Sequence, residues 1–140
     1  MTTFTGERLD WCKCVRFDPR LNPFDKVVAA TIADHVNERS RIAQVSDETI
    51  AIKSSGSVSS VIRARRRSRE AGWLRWRRTR TANRYSLRFD KVSGVLDMMT
   101  AKVEASRERR LSSVTYDRTG SRSSVTDARA SSVTDDRHTP

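Results

Sequence analysis

Cysteine, histidine and glycine are scarce in this chain, and the scarcity removes whole classes of chemistry. The two cysteines, Cys12 and Cys14, form one C-x-C pair, and the two histidines, His35 and His138, lie far from them and from each other. A structural zinc site needs about four ligands at other spacings. Both thiols are therefore expected to be buried or half-buried side chains in a reducing compartment, with no metal or other cofactor. The five glycines form no phosphate-cradling loop, and no nucleophile stands beside a base in a catalytic pattern. Catalysis by this chain alone is not expected. Apolar runs are short as well: none approaches the roughly 18 residues of a membrane span, and no apolar signal region follows Met1. The expectation is a soluble, intracellular protein with no membrane partner. Its 140 residues hold one small domain, with the aliphatic and aromatic residues concentrated before about Met99.

What the chain has in excess is arginine, and in one place. Between Arg63 and Arg88 stand eleven arginines (63, 65, 66, 67, 69, 75, 77, 78, 80, 84, 88) and one acid, Glu70, so eleven minus one puts +10 of the formal net charge of +11 here. The surrounding stretch 57–89 has two halves. Ser57 can cap a helix by accepting a free backbone N–H of the first turn, and Gly72 can end it in a left-handed conformation. The helix so bounded is about 14 residues, or roughly 21 Å. Val58, Val61 and Ile62 fall on its packing side, with Ser59, Arg63, Arg66, Arg67 and Glu70 on a solvated opposite side. After Gly72 the period becomes two: Leu74 and Trp76 alternate with Arg75 and Arg77, and Tyr85, Leu87 and Phe89 alternate with Arg84, Ser86 and Arg88. A strand pair turning over 79–83 accounts for this.

Earlier in the chain, Leu9, Trp11, Cys12 and Val15 mark a short helical segment that Asp18-Pro19 ends, and Met1 to Asp10 give little beyond a polar start. Asn22-Pro23 starts a helix, in which Phe24, Val27, Val28, Ile32 and Val36 recur at helical spacing; His35 within it is a surface or packing residue. Residues 41–45 alternate as a small strand. Ser46 caps a second helix over 47–53, whose positive N-terminus suits Asp47 and Glu48, and Ser54-Ser55-Gly56 makes the turn into the arginine-rich helix.

The order helix, strand, helix, turn, helix, hairpin resembles the winged helix-turn-helix family. Three patches resemble small bacterial, phage and plasmid members: Asp18-Pro19-Arg20-Leu21 with Pro23; Ile32-Ala33 with His35 and Asn37; and Glu70-Ala71-Gly72-Trp73-Leu74 followed by Asn83-Arg84-Tyr85. The resemblance covers about residues 10–89. It implies a mainly α fold with a small β-hairpin: an N-terminal segment (1–20) packing on a winged helix-turn-helix domain (21–89), with recognition helix 57–71 and wing 73–89. Two departures stand out. Arg65 and Ser68 occupy positions that such proteins fill with apolar residues, so Arg65 and Arg69 are expected to run along the core with their heads in water. Gly56 falls one position later than the expected turn glycine.

The resemblance also implies double-stranded DNA as partner, in a nucleoid-associated transcriptional regulator or replication-initiator-like factor of the bacterial cytoplasm. Clustered charge supports this, because each neutralised phosphate releases counterions, and arginine's fork suits phosphate and guanine alike. Ser59, Ser60 and Arg63 are the expected base readers. Ser57, Arg66 and Arg67 are expected on phosphates, as are Arg77, Arg78, Arg80 and Arg84 on the wing, where Arg80 at the tip can enter a minor groove. Trp73, Trp76 and Tyr85 are expected to fix the hairpin to the helices. An RNA or single-strand binder would instead expose Trp76 or Tyr85 for stacking. A protein-interaction adaptor would use the parts beyond Phe89.

Those parts are a helix over 90–110, whose stripe Val92, Val95, Leu96, Met99 and Val103 either packs back on the domain or pairs with its copy in a homodimer, and a tail. Residues 111–140 repeat the phrase Ser-Ser-Val-Thr from Ser112, Ser123 and Ser131. With so little apolar area to offset the entropy of ordering, this segment is expected to be disordered.

Overall fold

The computed structural model describes residues 3–117, with side chains to 113. Five helices and a small three-stranded antiparallel sheet make up the described residues, and residues Met1–Met99 form one compact unit, with a second from Thr100 onward. Most of the repeat-bearing tail lies outside the described residues.

The first helix, α1 (Phe4–Phe17), begins earlier than the apolar pattern from Leu9 implies. Thr3 caps it by accepting from the Gly6 N–H, and Phe4 is buried with the Arg41 guanidinium 4.3 Å from its ring centre. Phe4, Trp11, Cys14 and Val15 form the buried face, which leaves Leu9 more than half exposed. In α2 (Pro23–Asp34), Asn22 and Asp25 close a capping box, each side chain accepting from the other's backbone N–H. His35 caps its end, placing Nδ1 3.0 Å from the Thr31 carbonyl oxygen.

A strand, β1 (Ala43–Val45), leads to α3 (Asp47–Ser54), which Ser46 caps through the Thr49 N–H. The turn into α4 (Val58–Glu70) explains the displaced glycine. Ser55 takes the left-handed conformation (φ 59°, ψ 41°), while Gly56 is needed for space, because a Cβ there would drive into the Phe24 ring. A non-glycine residue in this region costs on the order of 1 kcal/mol. Ser55→Gly is therefore expected to stabilise the fold by about 0.5–1 kcal/mol, raising the melting temperature by a few degrees. A melting temperature at or below that of the parent would show that the Ser55 backbone is not strained.

Ser57 caps α4 through the Ser60 N–H, and Gly72 at φ 86° releases the chain at its other end. Strands β2 (Leu74–Arg78) and β3 (Asn83–Leu87) form the hairpin, joined by 79–82, and β1 adds to β3, so the sheet order is β1-β3-β2. The expected hairpin is thus one part of a larger sheet. Leu74, Trp76, Tyr85 and Leu87 face inward, where Trp11, Val28, Ile32, Ile50, Val61, Trp73, Leu74 and Tyr85 are fully buried. Val27 and Val58, expected to pack, are more than one-third exposed.

The last helix, α5 (Val92–Asp117), runs past the expected end at 110. Val92, Val95 and Leu96 pack against the core, so this part of the stripe folds back on its own domain. Val103 is half exposed. Among the described residues, no helix is long and apolar enough to cross a membrane.

Candidate nucleic-acid interface

The arginines of α4 divide by the neighbours they meet around the helix. Arg67, expected on a phosphate, instead grips Asp25 of α2 with two hydrogen bonds of 2.8 Å. That carboxylate is completely buried, and a buried charge needs a partner; the pairing also raises the Arg67 pKa. Arg65 likewise does not keep its head in water. Its side chain is only 13% exposed and makes two 3.1 Å bonds to Asp47. Arg65 and Arg69 both lie over the Trp76 ring, 5.0 and 4.1 Å from its centre. Ser68, the other departure, is fully buried and satisfied by donating to the Ala64 carbonyl. These contacts hold α4 between α2 and the inner face of the hairpin.

The face of α4 that remains carries Ser59, Arg63, Arg66 and Glu70, all exposed. Ser57 and Ser60 are less free than expected of DNA contacts. Their hydroxyl oxygens are 2.9 Å apart, Ser57 Oγ caps the helix, and Ser60 Oγ accepts from Arg63 at 3.4 Å. Ser60 therefore steadies Arg63. Beside the start of α4 lies a groove of about 400 Å³, lined by Val58, by Ser46, Asp47 and Glu48, and by the hairpin from Arg78 to Asn83. Arg78 and Arg80 are exposed on that side. Asp47 is neutralised by Arg65, which leaves Glu48 as an exposed acid at this edge.

Arg77 and Arg84 do not join this surface. They are cross-strand partners in the register, and Arg75 precedes Arg77 by two residues on β2. Alternation sends all three to the side of the sheet opposite Trp76, hence away from α4. Arg75 was not among the expected site residues, although the period-two pattern already placed it with Arg77. Of the eleven arginines between 63 and 88, Arg65, Arg67 and Arg88 form ion pairs, so eleven minus three leaves eight without an acid partner among the described residues.

The patches flanking the arginines are structural. Trp73 Nε1 donates to buried Asp18 at 2.8 Å, and Arg20 reaches the same carboxylate through its backbone N–H, Nε and Nη2. Burial alone would raise the Asp18 pKa, but the bonds from Arg20 and Trp73 together outweigh it and hold the carboxyl well below its usual range. Trp11 meets Trp73 edge-on at 6.3 Å and donates to the Trp73 carbonyl. Lys91 Nζ donates to the Ala71 carbonyl and lies 4.4 Å from the Trp73 ring centre. Asn83 donates to the Tyr85 hydroxyl at 3.3 Å. Burial pushes both cysteine thiols up, away from the reactive thiolate. No group of potential metal ligands occurs among the described residues.

Neither a family model nor any curated protein or solved structure matches this chain.

Proposed function

We propose that this chain is a winged helix-turn-helix protein that binds double-stranded DNA with sequence preference, as a transcriptional regulator or replication-initiator-like factor. Helices α3 and α4 form the helix-turn-helix, α4 is the recognition helix, and the hairpin is the wing. The observation that carries this reading is the sorting of arginines: those facing the domain are paired or stacked, while Arg63 and Arg66 stand on the outward face of α4 without an acid partner among the described residues, with Arg78 and Arg80 across the adjoining groove. A helix presenting unpaired guanidinium groups beside a basic hairpin edge suits a major groove and its flanking phosphates. The aromatic rings support duplex over single strands, since Tyr85 is fully buried and Trp76 lies under two guanidinium groups.

In this reading Ser59 and Arg63 meet base edges, with Ser60 bracing Arg63, and Arg66, Arg78 and Arg80 meet phosphates. Selection from a pool of random duplexes at two salt concentrations tests it, and an enriched motif is expected. A palindromic motif with half-sites about one helical turn apart would add a homodimer. Arg63→Ala is expected to flatten the preference at one base position by about 1–3 kcal/mol. Unchanged preference in that variant, or no enriched motif with the parent chain, would remove the base-reading role.

A further inference from the structure

We infer that the outer face of the sheet is a second binding surface for duplex DNA, so that one copy of this chain holds two duplex segments at once; this rests on the reading of α4 as the first surface. Arg77 and Arg84 are directly opposed across β2 and β3, and like charges so placed destabilise a strand pair. Among the described residues no ion pair relieves them. Its other positions are Arg75, Ser86 and Gln44, the last paired with Arg84 from β1, and Arg75, Arg77 and Arg84 are exposed with no acid partner among the described residues. An uncompensated cluster of three arginines on a regular sheet is complementary to a polyanion, whose bound counterions it would release.

The same duplex cannot serve both surfaces in a straight path. Arg65 and Arg69 of α4 cover Trp76 on one side of β2, while Arg75 and Arg77 leave from the other. The outward face of α4, with Arg63 and Arg66, and the outer sheet face are therefore distinct surfaces, with the contacts of Arg65 and Arg69 to Trp76 lying between them. Arg78 and Arg80 belong to the α4 side, at the groove beside Val58. The occupant is a duplex and not a single strand. The shallow depression on the outer face is lined by Ile42, Arg75, Trp76, Arg77, Arg84 and Ser86, and its one aromatic ring is the one that α4 holds from behind. Guanidinium groups without a free stacking platform contact backbone. The second surface is accordingly insensitive to sequence.

The test is a capture experiment with the full chain: one duplex carrying the selected motif is fixed to beads, protein is added, and retention of a labelled duplex of unrelated sequence is measured. Sedimentation at the same protein concentration gives the oligomeric state. The parent chain is expected to retain the labelled duplex. The triple variant Arg75→Ser, Arg77→Ser, Arg84→Ser changes only exposed side chains; it is expected to lose at least about tenfold in capture, with the salt slope of capture falling by about 2.7 for three phosphate contacts. Its binding to the bead-bound duplex should change less than about threefold, that contact being made by α4. Capture by the triple variant at the parent level, or capture lost only when a dimer is broken, overturns the second surface. A parent chain that binds the first duplex but never retains the second overturns it as well, and leaves the α4 reading standing. Preferential displacement of the labelled duplex by single-stranded RNA overturns the duplex assignment. If Arg63→Ala with Arg66→Ala leaves binding to the fixed duplex intact while the triple variant abolishes it, the α4 reading fails, and the two-surface arrangement fails with it.

Discussion

Arg67→Ala is expected to destabilise the fold by about 2–3 kcal/mol, while Arg66→Ala, one residue away, leaves stability within about 0.5 kcal/mol and weakens DNA binding instead. The difference comes from what each guanidinium faces. Removing Arg67 strands the Asp25 carboxylate, which is fully buried and, among the described residues, would keep the Asn22 N–H alone as a hydrogen-bond donor. Breaking a buried ion pair in this way typically costs about 3–5 kcal/mol. The lower figure applies because Arg67 is itself 40% exposed, so water can approach the pair. For a unit of this size the loss should lower the melting temperature by roughly 10–20 °C. Arg66 has no acid partner among the described residues, and its removal should reduce the salt slope of the proposed DNA binding by about 0.9, the share of one phosphate. Thermal melts and salt-titrated binding of the two variants decide the matter. A wild-type melting curve for Arg67→Ala would mean that the Asp25 pair does not hold α4, and an unchanged salt slope for Arg66→Ala would take that arginine off the phosphates.

Such neighbours look alike in the sequence because composition reports charge and periodicity reports a face, but neither names a partner. The local signals were legible: Asn22-Pro23, Ser46 and Ser57 each cap the helix expected of them, Gly72 takes a positive φ, and the hairpin alternates as its period demands. Partners of Arg65 and Arg67 lie 18 and 42 residues away, and only tertiary packing brings them together. The same holds for the segments that carry the family resemblance. Asp18 and Trp73 are 55 residues apart and share a buried hydrogen bond, which makes them scaffold and not surface. Period two already put Arg75, Arg77 and Arg84 on one side of the hairpin and Arg78 on the other, so an interface combining Arg77, Arg78, Arg80 and Arg84 conflicted with the strand reading from the start. The early start of α1 was hidden for a different reason: its first buried residue, Phe4, is isolated in sequence and is covered by Arg41 from beyond α2.

Trp73 should prove the most costly single side chain to remove. Trp73→Ala is expected to lose about 3–5 kcal/mol, since the ring is fully buried against Trp11 and under Lys91. Trp73→Phe keeps much of the packing and isolates the bond to Asp18, with an expected loss of about 1.5–3 kcal/mol at neutral pH for a hydrogen bond to a charged acceptor. The pH dependence separates this bond from packing. Because the folded chain holds Asp18 well below its usual pKa, the unfolded chain binds the proton first on acidification. The stability from this group is complete above the unfolded value of about 3.9, and drains away as pH falls below that toward the folded value. In Trp73→Phe the folded pKa moves back toward the unfolded one, so less is lost on acidification. The gap between parent and variant should therefore narrow between about pH 6 and pH 2.5, with the other carboxylates contributing equally to both and cancelling in the difference. Urea midpoints across that range measure it. A gap that stays constant would mean the indole N–H does not stabilise the ionised carboxylate, and that Trp73 fixes the hairpin to the helices by packing alone.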